Sequence, residues 1–550
     1  MKKFLLAGAA ICAVFSSPAL AGDISPAKIA EHVKVLSDDS FEGRAPATEG
    51  EKKTVAYIAE QYKAAGLQPG GDLVNGQRAW TQDVPLARFE NKGPLAISAT
   101  FGGKTESWSQ GEEVALRAAQ TGVTHVSIKD APIVFVGYGV TAPERNWDDF
   151  KGVDLKGKVA LVLVNDPDFE TGQGDFGGKA MTYYGRWTYK YEEAARHQGA
   201  IGFLVIHETA PAAYGWATVK NSNTAPVFDI IRDNPGEAHA LLEGWIQRDK
   251  TVELFKASGL DFEALKKQAQ TRAFKPVELK GATFSADFAV DAQKIVSKNV
   301  VGIVPGAKRP NETIIYSSHW DHLGVGLPDA KGDRIYNGAV DNADGIATMI
   351  EIGRSFAKGP KPERSVVFLA VTAEEKGLLG SEYYAANPLY PLATTVADIN
   401  MDALSPSGPA KDFTSSGDAA STLQDALVAV GKAQGRSYSP DPRPEAGSFF
   451  RSDHFPFAKR GVPAISFGSG RDLVNGGTAA GDAFSKTYTA DRYHQPADQF
   501  DATWNLDGIA QDGQLMLDLG RQLANSATWP EWKEGSEFKQ TRDATAAERK

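Results

Sequence analysis

Two histidines and five carboxylates recur where a chain of alternating apolar runs and loops could assemble a hydrolytic metal centre. His319 and Asp321 follow the run Ile314 to Tyr316, Glu374 and Glu375 follow Val366 to Val371, and Asp402 follows Val396 to Met401. Asp341 lies in the loop Gly338 to Gly345, which leads into helically spaced Ile346, Met349, Ile350, Gly353 and Phe356. His494 lies in a second loop, Asp491 to Pro496. Imidazole and carboxylate donors suit Zn²⁺ when no thiol is at hand. Singly, each element has a plainer use. A His-x-Asp is commonly a surface pair, a Glu-Glu a solvated helix face, and Asp-Asn-Ala-Asp-Gly a turn and helix cap. Gathered at one edge, several carboxylates would repel one another, and burying them without a cation is costly. The set therefore points to bound metal more strongly than its members do.

The elements that must position these side chains read as an α/β fold. From about residue 295 strands and helices alternate, and Ala464 to Phe467 adds a further strand, predicting a mixed, mostly parallel central sheet flanked by helices. In such sheets ligands bind beyond the carboxyl ends of the strands, where His319, Glu374, Glu375 and Asp402 all fall. Upstream, Ile24 to Ala65 reads as helical, and residues 80 to 118 read as β-rich with a turn at Gly102-Gly103. A second unit begins near residue 120, with strands at Ile133 to Val136, Val159 to Val164 and Ile201 to Ile206 and a helix at Tyr189 to His197. It holds no cluster of donors or nucleophiles and reads as structural or substrate-shaping. After Trp529 the chain turns polar, with a weakly helical or disordered reading.

These residues resemble the zinc-dependent exopeptidases of peptidase family M28. The motifs that carry the resemblance are Ser318-His319-Trp320-Asp321, Gly338 to Gly345, Ala373 to Ser381, Asn400-Met401-Asp402, Arg451-Ser452-Asp453-His454 and Tyr493 to Asp498, in the family's order. Asp38 to Gly66, with Gly43-Arg44, is similar to the family's N-terminal lead-in, and the middle unit resembles an inserted, β-rich protease-associated (PA) domain. One departure is Ser317-Ser318, where glycines are commoner. The resemblance implies two Zn²⁺ per chain, one bound by His319 and Asp402, the other by Glu375 and His494, with Asp341 bridging both. It implies that Asp321 orients His319 and that Glu374 is the general base acting on metal-bound water; Tyr493, next to His494, is then a candidate donor to the oxyanion, and Arg451 a support for that site. It also implies a cis peptide at Asp341-Asn342. The expected domains are a signal peptide (1–21), the first part of the peptidase domain (22–115), the PA insertion (116–284), the second part with the metal site (285–530) and a polar tail (531–550).

The whole chain of 550 residues is 42% hydrophobic and 23% charged, a globular balance that suits about three domains and excludes a mainly disordered protein. Lys2, Lys3, the apolar run Phe4 to Phe15 and Ala19-Leu20-Ala21 read as a secretory signal cleaved after Ala21, giving a periplasmic or secreted product. The one cysteine, Cys12, lies within it, leaving no thiol ligand afterwards. Loss of Lys2 and Lys3 takes the formal charge from −10 to −12, which argues against a nucleic-acid partner. No later stretch suits membrane insertion. The leading reading is an exported dizinc aminopeptidase acting on peptides. A carboxypeptidase or dipeptidase on the same scaffold is the alternative. That alternative needs a cationic clamp for a terminal carboxylate, and no Arg or Lys cluster appears inside the ligand motifs beyond Arg451 and Arg492. A glutaminyl cyclase would use a single zinc. A non-catalytic PA-domain receptor would have lost ligands that are all present here. A serine hydrolase lacks its Gly-x-Ser-x-Gly after a strand.

Overall fold

A computed structural model of the chain describes residues 24–549 apart from 197, 198, 225 and 418. The expected signal segment and Cys12 lie outside these residues. The principal elements, in chain order, are helices α1 (Pro26–Leu36) and α2 (Glu49–Ala65), then strands β1 (Thr81–Phe101), β2 (His125–Phe135) and β3 (Val159–Leu163). Helix α3 (Trp187–Arg196) and strands β4 (Gly202–His207), β5 (Leu242–Gln247), β6 (Val277–Val304) and β7 (Arg309–His319) follow. The second half adds helix α4 (Asp344–Lys358), strands β8 (Arg364–Val371), β9 (Thr395–Met401) and β10 (Ala464–Ser469), and helix α5 (Asp507–Asn525).

One large sheet runs through the molecule in the order β10-β9-β7-β8-β6-β2-β3-β4-β5. β10, β9, β7 and β8 are mutually parallel, and so are β2, β3, β4 and β5. The 28-residue β6 joins the two groups, antiparallel to β8 on one side and to β2 on the other. It also pairs with β1 from Val300–Thr81 to Thr283–Thr100. The mixed, mostly parallel sheet is as the sequence predicts. Every residue of β8 and β9 is buried, as parallel strands covered on both faces require. The expected domain limits at 115/116 and 284/285 both fall inside strands, Val114–Ala118 and β6.

The predicted helical stretch 24–65 is two helices, not one. Ser25 caps α1 through the Lys28 N–H and Thr48 caps α2 through the Glu51 N–H, while Gly66 ends α2 at φ 99°. Between them Gly43 is left-handed (φ 62°), and a Cβ there would lie 2.5 Å from the Tyr336 carbonyl oxygen and 2.6 Å from that of Gly324. That close approach turns Arg44 inward. Both helices pack on α4, and α5 packs on the same helix. The polar tail is also tied down. Trp532, Phe538 and Arg542 are buried, and the Arg542 guanidinium donates to the Thr395 carbonyl at 3.0 Å. Three large side chains outweigh the polar composition around them. No described helix is long and apolar enough to cross a membrane.

Candidate metal centre

The parallel strands of the second half deliver the donors to one edge. His319 is the last residue of β7, Glu374 and Glu375 follow β8 by three and four residues, and Asp402 follows β9 directly. Left-handed backbone at Ala373 (φ 53°), Ala403 (φ 54°) and His494 (φ 57°) turns the chain sharply at these points, and such strain persists where the surroundings over-determine it. Asp341 stands between the others, in the loop that opens into α4, and its peptide to Asn342 is cis.

His319 Nε2 lies 3.2 Å from Asp341 Oδ1 and 3.3 Å from Asp402 Oδ1. His494 Nε2 lies 3.2 Å from Asp341 Oδ2 and 3.2 Å from Glu375 Oε2. Asp341 thus turns one oxygen to each imidazole. Donors bound to zinc at roughly 2.0 Å, the short end of its usual range, stand about 3.3 Å apart along the edges of a tetrahedron. All four spacings match that edge, and the donor types are those zinc takes from a thiol-free site. The residues present fit bound zinc.

The electrostatics demand positive charge at the same place. Burial alone would lower the His319 imidazole, but Glu374, Asp341 and Asp402 raise it well above the usual histidine range. His494 opposes its own burial in the same way and rises to about 10 beside Glu375 and Asp341. Burial pushes the Glu374 carboxyl well above its ordinary value; His319 opposes the rise, and Asp402, Glu375 and Asp453 add to it. A carboxyl so placed takes up a proton readily.

Among known proteins, residues 299–519 match the description "Peptidase family M28". Residues 299–519 belong to peptidase family M28. A mouse protein named aminopeptidase NAALADL1 is 38% identical over 112 residues, 19% of this chain and 13% of that protein. A glutamate carboxypeptidase 2 homolog of Caenorhabditis elegans is 22% identical over 438 residues, 70% of this chain and 51% of that protein. The matched stretches thus span from about an eighth to about half of these two curated relatives. Among solved structures, an aminopeptidase from Aneurinibacillus sp. strain AM-1 superposes with a TM-score of 0.49 at 19% identity, covering 92% of this chain and 95% of that one.

Within this M28 segment the other expected residues sit as follows. Asp321 meets His319 Nδ1 mainly through its backbone carbonyl, at 3.1 Å; its carboxylate is 3.8 Å away. That carboxylate instead accepts the Glu374 backbone N–H at 3.0 Å, tying the candidate base to the strand that carries His319. The Tyr493 ring stacks on His494 with centroids 3.9 Å apart and is 43% exposed, at the mouth of the site. Arg451 lies over the Tyr214 ring, 5.9 Å from its centroid, and donates to the Ala446 carbonyl. Arg492 is paired with Asp501 at 3.1 Å.

Sequence reasoning assigned no role to four residues that hold the centre together. Arg44, fully buried, donates to the carbonyls of Leu36 (2.7 Å), Trp320 (2.8 Å), Asn337 (2.5 Å) and Gly338 (2.8 Å), joining the N-terminal lead-in to the His319 and Asp341 loops. Asn342 donates to Ser318 Oγ and the Met401 carbonyl, each at 3.0 Å, and its own oxygen accepts from the Gly345 and Ala403 N–H groups. Asp498 accepts the backbone N–H groups of Val340 and Asp341. Arg44, Asn342 and Asp498 all lie inside the motifs named above, but most of their partners are backbone groups distant in sequence, which spacing does not reveal. The fourth, His322, follows Asp321 directly and sits beside Glu375, with Nδ1 2.7 Å from Oε1.

Proposed function

We propose that the chain is an exported dizinc aminopeptidase that removes N-terminal residues from peptides. The observation that carries this reading is the sharing of Asp341 between two imidazole–carboxylate sets at zinc-edge spacing. His319 and Asp402 would hold one ion, Glu375 and His494 the other, and Asp341 both. Two zinc ions bound there supply acidified water and polarisation of the scissile carbonyl. Glu374 takes the proton of the attacking water and passes it to the leaving amine, and its burial, which raises the carboxyl, favours taking up that proton. Asp321 is a positioning residue that anchors the Glu374 backbone and, through its carbonyl, the His319 ring. Tyr493, on His494 and open to solvent, is placed to donate to a developing oxyanion. Arg451 stands beyond it as a supporting cation. An α-amine held among the surrounding carboxylates sets the first peptide carbonyl at the centre, which makes cleavage exolytic by geometry.

In this reading residues 22–115 and 285–530 form one peptidase domain, and 116–284 are an inserted PA domain. The packing of α1 and α2 on α4 supports the first part. The signal segment 1–21 would deliver the chain to the periplasm or outside the cell.

One observation favours the carboxypeptidase alternative. Arg186, from the inserted unit, is buried, and no carboxylate pairs with it among the described residues. Burial and the nearby charge of Arg451 lower its guanidinium to about 9, with Tyr214 opposing. Two close guanidiniums suit a terminal carboxylate. The mouse relative is named an aminopeptidase and the nematode relative a carboxypeptidase homolog, so both polarities occur among relatives. Comparing a dipeptide, its N-acetyl form and its C-terminal amide separates the two. The aminopeptidase reading expects loss on acetylation and survival on amidation; the opposite pattern assigns the site to a carboxypeptidase.

A further inference from the structure

His322 is fully buried, and neither of its ring nitrogens has an aligned hydrogen-bond partner. Glu375 Oε1, also without an aligned partner, lies 2.7 Å from His322 Nδ1. The ring is confined on its other sides. A Cβ at Gly338 would lie 2.6 Å from the ring Cγ, and the His494 ring stands edge-on to it with centroids 5.7 Å apart. His322, Asp341 and Glu375 bring donor atoms within 4.8 Å of one another. The 2.7 Å separation is nonetheless well short of the 3.2–3.3 Å that recurs between the other donors. It is a hydrogen-bond distance, not the edge of a shared coordination sphere. A buried imidazole and a buried carboxylate oxygen this close cannot both stay unpaired without a large penalty.

We propose that His322 is a positioning residue for the second metal, its Nδ1–H holding Glu375 Oε1 so that Oε2 faces the point shared by Asp341 Oδ2 and His494 Nε2. The proposal rests on the dizinc reading. It assigns Glu375 one oxygen for the metal and one for the protein, the arrangement by which outer partners orient ligating carboxylates.

Zinc titration of the purified full chain against a chromophoric chelator, with circular dichroism as the check on folding, tests it. The wild type should bind two equivalents. His322→Ala should keep one at wild-type affinity and bind the other roughly 10- to 100-fold more weakly. His322→Asn, whose amide can still donate, should recover most of that loss. His322→Phe, which preserves ring volume, serves as the non-donating variant if the Ala chain does not fold. Wild-type affinity for both equivalents in the non-donating variant overturns the proposal. So does an Asn variant no better than Ala, as a direct ligand would give, and so does loss of both equivalents together from a folded chain. A wild type that binds a single zinc overturns the dizinc reading and this proposal with it, whereas a two-zinc wild type with an unaffected variant overturns this proposal alone.

Discussion

The sheet has two carboxyl edges built by parallel strands, and they resolve their charges in opposite ways. Beyond β4 and β5, a cavity of about 410 Å³ is lined by Glu170, His207, Glu208, Arg248 and Lys266 among others. There Lys266 lies 2.7 Å from Glu170 and 2.7 Å from Glu208, so the carboxylates find their cation within the chain. Beyond β7, β8 and β9, no lysine or arginine pairs with Asp341, Glu375 or Asp402 among the described residues; the groups facing them are imidazoles. The two edges share strand geometry and acidic composition. The difference lies in where the positive charge comes from: Lys266 at the first edge and, in the proposed reading, bound zinc at the second.

Breaking the second edge should have the largest effect. Asp341→Ala removes the one side chain common to both donor sets, so the folded variant should lose both zinc equivalents and all measurable hydrolysis, read by elemental analysis and peptide turnover. Two tightly held equivalents in that variant would place the bridge elsewhere.

Unbalancing the first edge should cost stability and leave hydrolysis intact. Lys266→Met strands Glu170 and Glu208 beside each other, with an expected loss of about 1–3 kcal/mol in denaturant unfolding. Glu170 is partly exposed, which keeps the figure below that of a fully buried pair. Adding Glu208→Gln should return part of the loss, and kcat/KM should stay within about twofold of wild type, since the pair stands outside the machinery. A large fall in turnover with unchanged stability would show that the two edges are coupled in a way charge balance does not explain.

Much of the second edge was legible in the sequence because strand ends are. An apolar run such as Val366 to Val371 fixes where a parallel strand stops, and Glu374-Glu375 just beyond it must then face the crevice. The partners that aim those side chains were not legible. Arg44 works through four carbonyls and Asn342 through groups on β7, on β9 and just past it, and on α4, and such contacts leave no periodic trace. The sequence points to Asp321 as the residue that orients His319 but not to the atoms used: its backbone carbonyl meets the ring Nδ1, and its carboxylate holds the Glu374 N–H. The tail, weakly helical or disordered by its sequence, does hold a short helix at Lys539–Asp543, but its anchorage was not legible. Average polarity conceals Trp532 and Phe538, whose rings pack 5.0 Å apart.

The central claim is that metal holding and proton transfer are separate tasks of adjacent carboxylates. Glu374→Gln tests it most directly, with zinc content and peptide turnover measured on one preparation. The account predicts two zinc equivalents retained and turnover lowered by roughly 10²- to 10⁴-fold. Wild-type turnover in that variant, or loss of zinc from a correctly folded chain, would contradict it.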